Sequence, residues 1–242
     1  MTGFNSVTFR KKTIDEILLL AQKTGSECIE WTGDVHVTDT KIALDTARKC
    51  DELGIAHTSY GSYYRTGHTD PAEFERYCEI TAALGADTVR IWAGHKGSAQ
   101  YTKDELQAVA LQIAKDEETA AKYGVTPAFE FHPDTLTDSG DAALRLLSFC
   151  NTTRTYWQPR YLGKDTENLS RVAHLAKNVH LFYWDLLGSR RCLLEKGEQT
   201  LAAFIHTLKA SGFDGNYYLE FCKNDDADCF CKDMQTLLRL TK

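Results

Sequence analysis

Eight short runs rich in β-branched and aromatic residues punctuate this 242-residue sequence, and each is followed by a longer amphipathic run. The short runs are Phe4–Phe9, Cys28–Gly33, Ile55–Gly61, Thr88–Gly94, the apolar part of "TPAFEFHPDTLTDS" (126–139), Arg154–Gln158, Asn178–Trp184 and Asn216–Phe221. Helix signals stand between them. T-x-x-E capping spacing occurs at Thr13/Glu16 and Thr102/Glu105, Asp70-Pro71 opens a helix, and Asp138 or Ser139 caps the helix after the fifth run. Gly25, Gly54, Gly85, Gly124 and Gly212 are stops. Strands alternating with helices of this length imply a parallel sheet. Eight such units in roughly 250 residues imply an α/β chain closed into a (β/α)8 TIM barrel, a single domain over residues 1–242. A doubly wound open sheet would bring a Gly-rich phosphate turn after its first strand, and "SVTFRKKT" has none.

The totals exclude several function classes. A net charge of −6 advertises no basic face, so no nucleic-acid partner is expected. No apolar run is long enough to span a membrane, and "MTGFNSVTFRKKTIDE" has neither the apolar core nor the cleavage pattern of a signal peptide. The 8 cysteines are scattered, mostly among apolar neighbours, and read as reduced thiols. These features together predict a cytoplasmic protein; they leave association into homo-oligomers open.

In a (β/α)8 barrel the chemistry lies at the C-terminal ends of the strands. Glu30 and Trp31 end the second run, with His36 beyond; Arg90 and Trp92 lie in the fourth; Glu130 and His132 in the fifth. Trp157 and Gln158 end the sixth, with Arg160 beyond; His180 and Trp184 lie in the seventh, with Arg190 beyond; Glu220 lies in the eighth. Taken singly, each has a bland reading: Glu130 as an ion-pair partner of an arginine such as Arg90, His180 or His132 as a satisfied core histidine, Arg160 and Arg190 as solvated loop charges. Taken together, Glu130, Gln158, His180 and Glu220 close four consecutive strands with groups able to ligate a metal. Neighbouring strands lie about 4.8 Å apart, so these groups converge. Two carboxylates brought close repel each other, and a divalent cation removes that cost. Mostly oxygen donors with one imidazole suit Mn²⁺ or Mg²⁺, with Zn²⁺ or Co²⁺ also compatible. All 4 tryptophans fall at run ends, which predicts an aromatic-walled mouth.

With "CIEW", "RIWAGHKGS", "FEFHPDTLTDS", "NVHLF" and "GFDGNYYLEF", the chain resembles the xylose isomerase-like TIM barrels over essentially its whole length. The fourth and fifth blocks are also similar to the dehydroshikimate dehydratase branch of that superfamily. The resemblance implies one divalent metal held from strands five to eight, with Glu130, His180 and Glu220 matching the family's ligands. The sixth-strand ligand is usually an aspartate; here the sequence reads "YWQPRYL", and Gln158 is the substitute. It also implies a sugar or sugar phosphate isomerase or epimerase. Glu130 and Glu220 would be the catalytic carboxylates, one removing the proton α to a carbonyl and the other returning it. Loss of a β-hydroxyl after the same first step would make a dehydratase. Arg90, Arg160 and Arg190 would hold an anionic end of a carbohydrate or keto-acid substrate. Glu30, His36 and His132 would contact it, and Trp31, Trp92, Trp157 and Trp184 would wall it. A nuclease on this fold would need more strand-end histidines and a basic surface. A non-catalytic sugar-binding barrel is kept open by Gln158.

Overall fold

A computed structural model describes residues 1–161, 163–185 and 190–242. Eight parallel strands close a barrel: β1 (Thr2–Asn5), β2 (Cys28–Thr32), β3 (Ala56–Thr66), β4 (Thr88–Ala93), β5 (Thr126–Glu130), β6 (Arg154–Trp157), β7 (Ala176–Leu181) and β8 (Asn216–Leu219). Each strand pairs with its sequence neighbours, and β8 closes onto β1 with Phe4 opposite Leu219. Eight helices follow the strands: α1 (Ile14–Thr24), α2 (Thr40–Leu53), α3 (Pro71–Ala83), α4 (Lys103–Lys122), α5 (Gly140–Leu147), α6 (Asp165–Val172), α7 (Glu198–Ala210) and α8 (Ala227–Thr241). The expected fold is therefore the one found. A two-stranded ribbon, Tyr183–Trp184 against Arg191–Cys192, is added above β7. Among the described residues no helix is long and apolar enough to cross a membrane, and all eight cysteines are free thiols.

The helix signals act as capping physics requires. Both T-x-x-E boxes form: Thr13 N–H donates to Glu16 Oε2 at 2.7 Å and Glu16 N–H to Thr13 Oγ1 at 3.3 Å, and the same exchange joins Thr102 and Glu105. Ser139 caps α5, while Asp138 instead accepts from Ser98 N–H at 2.8 Å. Within α4, Glu117 turns to the chain ahead of β6. It accepts backbone N–H groups of Asn151, Thr152 and Thr153 at 2.7–3.0 Å, which fixes where β6 begins.

Several boundaries differ from the sequence reading; β7, for one, runs from Ala176 to Leu181 and leaves Tyr183–Trp184 to the ribbon. β1 stops at Asn5, whose side chain accepts from Val7 N–H and turns Ser6–Phe9 into a 3₁₀ segment. β3 continues past Gly61 to Thr66. β8 ends at Leu219, and Phe221 adopts a left-handed φ of 60°.

Side chains alternate across each strand. The outward set packs against the helices in the large apolar layer. The inward set begins with a floor of Cys28, Ala128, Tyr156 and Tyr218, all fully buried, the two tyrosine rings stacked at 6.4 Å. Above that floor the interior turns polar.

Candidate functional site

Glu30 sits on the layer above the floor, wholly buried. Its Oε1 accepts from Asn5 Nδ2 at 2.7 Å, Arg90 Nε at 3.0 Å and His180 Nε2 at 3.1 Å, and Ser59 Oγ lies 3.2 Å from Oε2. Burial alone would raise its carboxyl, but His180 and Arg90 overcome that and hold it near pKa 2. Gly61 opposite Arg90 makes the arrangement sterically feasible: a Cβ there would lie 2.6 Å from the guanidinium.

Arg90 spans the layer to Glu130, whose Oε2 also accepts from Trp92 Nε1 at 2.7 Å. Gln158 Nε2 reaches Glu130 Oε1 at 3.0 Å and the Phe131 carbonyl at 2.9 Å. Both of those partners only accept, so the amide nitrogen of Gln158, not its oxygen, faces the carboxylates. Glu130 is thus ringed by donors. Burial pushes its carboxyl up, and Arg90 with His180 pulls it below the ordinary range. Glu220 is different. It accepts from Asn5 Nδ2 at 3.1 Å, and burial and the neighbouring Glu130 push it up to about 7 against the opposing pull of His180.

His180 Nδ1 lies 3.4 Å from Glu220 Oε1 and 4.0 Å from Glu130 Oε1, with no hydrogen-bond partner of its own among the described residues. One ligand atom each from Glu130, His180 and Glu220 falls within 4.8 Å of the others, and all three residues are buried. Three carboxylates (Glu30, Glu130, Glu220) face one guanidinium, so the cluster carries two uncompensated negative charges when the imidazole is neutral. The imidazole responds. Burial lowers its pKa, but Glu220 and Glu30 more than reverse that and raise it to about 9. An orphaned imidazole nitrogen between two carboxylates, in a cluster short of positive charge, fits a divalent cation with three protein donors. The Nε2 contact to Glu30 is the orienting carboxylate such a ligand requires.

This cluster is the floor of a mouth of about 500 Å³ at the C-terminal ends of the strands. Trp92, His132, Phe182, Trp184, Arg160 and Tyr63 are among its walls. His132 Nδ1 lies 2.8 Å from the Pro133 carbonyl, which only accepts, so Nδ1 carries a proton and Nε2 is left for a ligand. Sequence reasoning missed Asn5 and Tyr63, because it ran the first strand past Asn5 and stopped the third before Tyr63.

Several expected substrate contacts lie elsewhere. Trp31 and Trp157 are fully buried on the helix side, Trp157 edge-on to Phe204 of α7 at 5.0 Å. Each follows an inward residue by one position and therefore faces outward. His36 has its ring nitrogens on Ser6 Oγ at 3.0 Å and Lys12 O at 3.1 Å, away from the mouth. Glu30 lies beneath the mouth, in contact with protein groups only among the described residues. Arg90 lines the mouth, but its charge is taken by Glu30 and Glu130, so it is not free to hold an anion. Arg190 leaves 85% of its side chain exposed beside Asp185. Gln158, expected as a ligand through its oxygen, instead turns its amide nitrogen to Glu130 Oε1 and the Phe131 carbonyl in this structure.

The model of the family described as xylose isomerase-like TIM barrel matches residues 18–238. The chain belongs to that family. This chain is 26% identical over 155 residues to the 3-dehydroshikimate dehydratase of Bacillus anthracis, covering 59% of this chain; it spans only about half, 55%, of that relative's length. The crystal structure of a probable 3-DHS dehydratase from the same organism matches with a TM-score of 0.79 at 16% identity, covering 98% of this chain and 99% of that one. D-Psicose 3-epimerase from Clostridium cellulolyticum H10 matches at 0.78 and 10% identity, covering 99% and 97%. At such identities the structural likeness is one of fold.

Proposed function

We propose that this xylose isomerase-like barrel is a divalent-metal-dependent enzyme that abstracts the proton α to the carbonyl of a small hydroxylated substrate, acting as an isomerase or epimerase. The observation that carries this reading is the buried set Glu130, His180 and Glu220, whose ligand atoms fall within 4.8 Å of one another beneath the mouth and bring two carboxylates to one point.

A cation held by Glu130, His180 and Glu220, Mn²⁺ or Mg²⁺ before Zn²⁺ or Co²⁺, would supply Lewis-acid polarisation of the substrate carbonyl. The chain's own groups do the rest. Glu220, which would also be a donor to that cation, and Glu130 divide the proton transfer, one taking the proton α to the carbonyl and the other returning one. Glu130, kept ionised by Arg90, Trp92 and Gln158, is the second carboxylate across the mouth. Trp92 and Trp184 exclude water from the substrate's apolar edge. Return of a proton to the opposite face of the same carbon, by the other carboxylate, makes an epimer; return to the neighbouring carbon moves the carbonyl.

A dehydratase is the second reading, supported by the 26% identical stretch shared with 3-dehydroshikimate dehydratase. There the hydroxyl would leave as water, its proton supplied from Nε2 of His132 in the imidazolium form while Nδ1–H stays on the Pro133 carbonyl.

The test is solvent exchange in D₂O with Mn²⁺ over a panel of ketoses and keto acids. Deuterium is expected at the carbon α to the carbonyl of one class of compound, and none after chelation or in Glu220→Gln. A Mn²⁺-loaded protein that exchanges no member of the panel refutes the proposal.

A further inference from the structure

Three arginines were candidates for an anionic end of the substrate, and the fold disposes of two of them. Arg90 is neutralised within the cluster, and Arg190 stands in solvent outside the walls of the mouth. Arg160 remains. It lies where the mouth meets a neighbouring groove, half-buried, and among the described residues its guanidinium has neither a carboxylate within ion-pair distance nor a hydrogen-bond acceptor. Its backbone, by contrast, is tightly held. The amides of Arg160 and Tyr161 donate to the two carboxylate oxygens of Asp165 at 2.6 and 2.8 Å, and Tyr161 OH donates to the Phe182 carbonyl at 2.5 Å. Tyr161 takes a left-handed φ of 53° in doing so. A partly desolvated guanidinium on an anchored loop, with no partner, is a costly arrangement unless a ligand supplies the anion.

We infer that Arg160 anchors a carboxylate on the substrate, which makes the mouth a site for a hydroxylated keto acid in preference to a neutral ketose or a sugar phosphate. The inference rests on the mouth being the substrate site proposed above. A single guanidinium fork matches a carboxylate in charge and in its two parallel hydrogen bonds. A phosphate dianion is served less well. Asp134, Asp138 and Asp165 all contribute negative potential at Arg160, and Glu130 and Glu220 line the same cavity.

The test compares D-fructose, D-fructuronate and D-fructose 6-phosphate, which differ only at C6. Dissociation constants are measured by isothermal titration with and without Mn²⁺, for the wild type, Arg160→Ala and Arg160→Lys, each checked for an unchanged melting profile. Fructuronate is expected to bind the wild type about 10- to 100-fold more tightly than fructose. That ratio should collapse towards one in Arg160→Ala and be partly retained in Arg160→Lys. A wild-type ratio near one, fructuronate binding too weak to measure, a tighter fructose 6-phosphate, or a ratio indifferent to Arg160→Ala each overturns the inference. An Arg160-dependent ratio without deuterium exchange into any of the three would leave the anchor standing and remove the proposed chemistry. Exchange into fructose with an Arg160-independent ratio would do the reverse.

Discussion

Glu30 shows how much one carboxylate can organise. It fixes Arg90, receives Asn5, and by accepting from His180 Nε2 leaves Nδ1 turned to Glu130 and Glu220. Glu30→Gln is therefore expected to weaken Mn²⁺ binding about 10- to 100-fold, the usual cost of losing an orienting partner, as read by titration or Mn²⁺ electron spin resonance. The proton accounting gives a second prediction. Without metal, Glu220 and His180 hold protons in the folded state beyond their ordinary pKa values of 4.5 and 6.5, up to about 7 and 9. Their contribution to stability is present at low pH and is lost as pH rises from 4.5 to 9. Glu30, depressed to about 2, contributes in the opposite sense, and its share is lost only as pH falls from 4.5 towards 2. Melting temperatures in chelator should thus fall across the neutral and alkaline range, and Mn²⁺ should flatten that fall while its own affinity rises with pH. At this scale the sequence was legible wherever alternation was applied. Glu130, His132, His180 and Glu220 share the inward parity of their strands. Counting the tryptophans by that parity would have set Trp31 and Trp157 apart from Trp92 and Trp184.

At the level of elements, the sequence announced helices through their caps and strands through their composition, but strand ends escaped it. A side chain, not a composition shift, ends β1: the Asn5 amide oxygen captures Val7 N–H. The same residue donates to Glu30 and Glu220, so misplacing one boundary hid one member of the site. β6 offers a parallel case, its start being held from a distance by Glu117 of α4. Glu117→Ala leaves three backbone N–H groups without that acceptor and should cost about 2–4 kcal/mol in urea unfolding. It should also loosen the segment that carries Gln158 and Arg160, lowering activity before the protein unfolds. Gly61→Ala tests the β3–β4 contact. The added methyl would meet the Arg90 guanidinium, and the expected result is a folded barrel with weakened Mn²⁺ affinity.

For the molecule as a whole, eight repeated units were enough to give the architecture, because a parallel sheet of that count with covering helices has few other ways to close. The chemistry was less legible, since it depends on which charges neutralise one another inside the barrel, and that pairing joins residues 30, 90, 130, 180 and 220 across the closed sheet. Saturating Mn²⁺ at about 100 times its dissociation constant should stabilise the fold by roughly 2.7 kcal/mol, visible as a rise in melting temperature that chelator reverses. The stacked tyrosine floor has a consequence of its own. It makes the barrel a cup with one door. Whatever enters over Tyr63 and Trp184 has to leave by the same way, and a product still in the cup keeps the next molecule out. If the proposed chemistry runs in this mouth, product inhibition competitive with substrate is the expected outcome of initial-rate kinetics, and net flux depends on how fast product is cleared from the doorway.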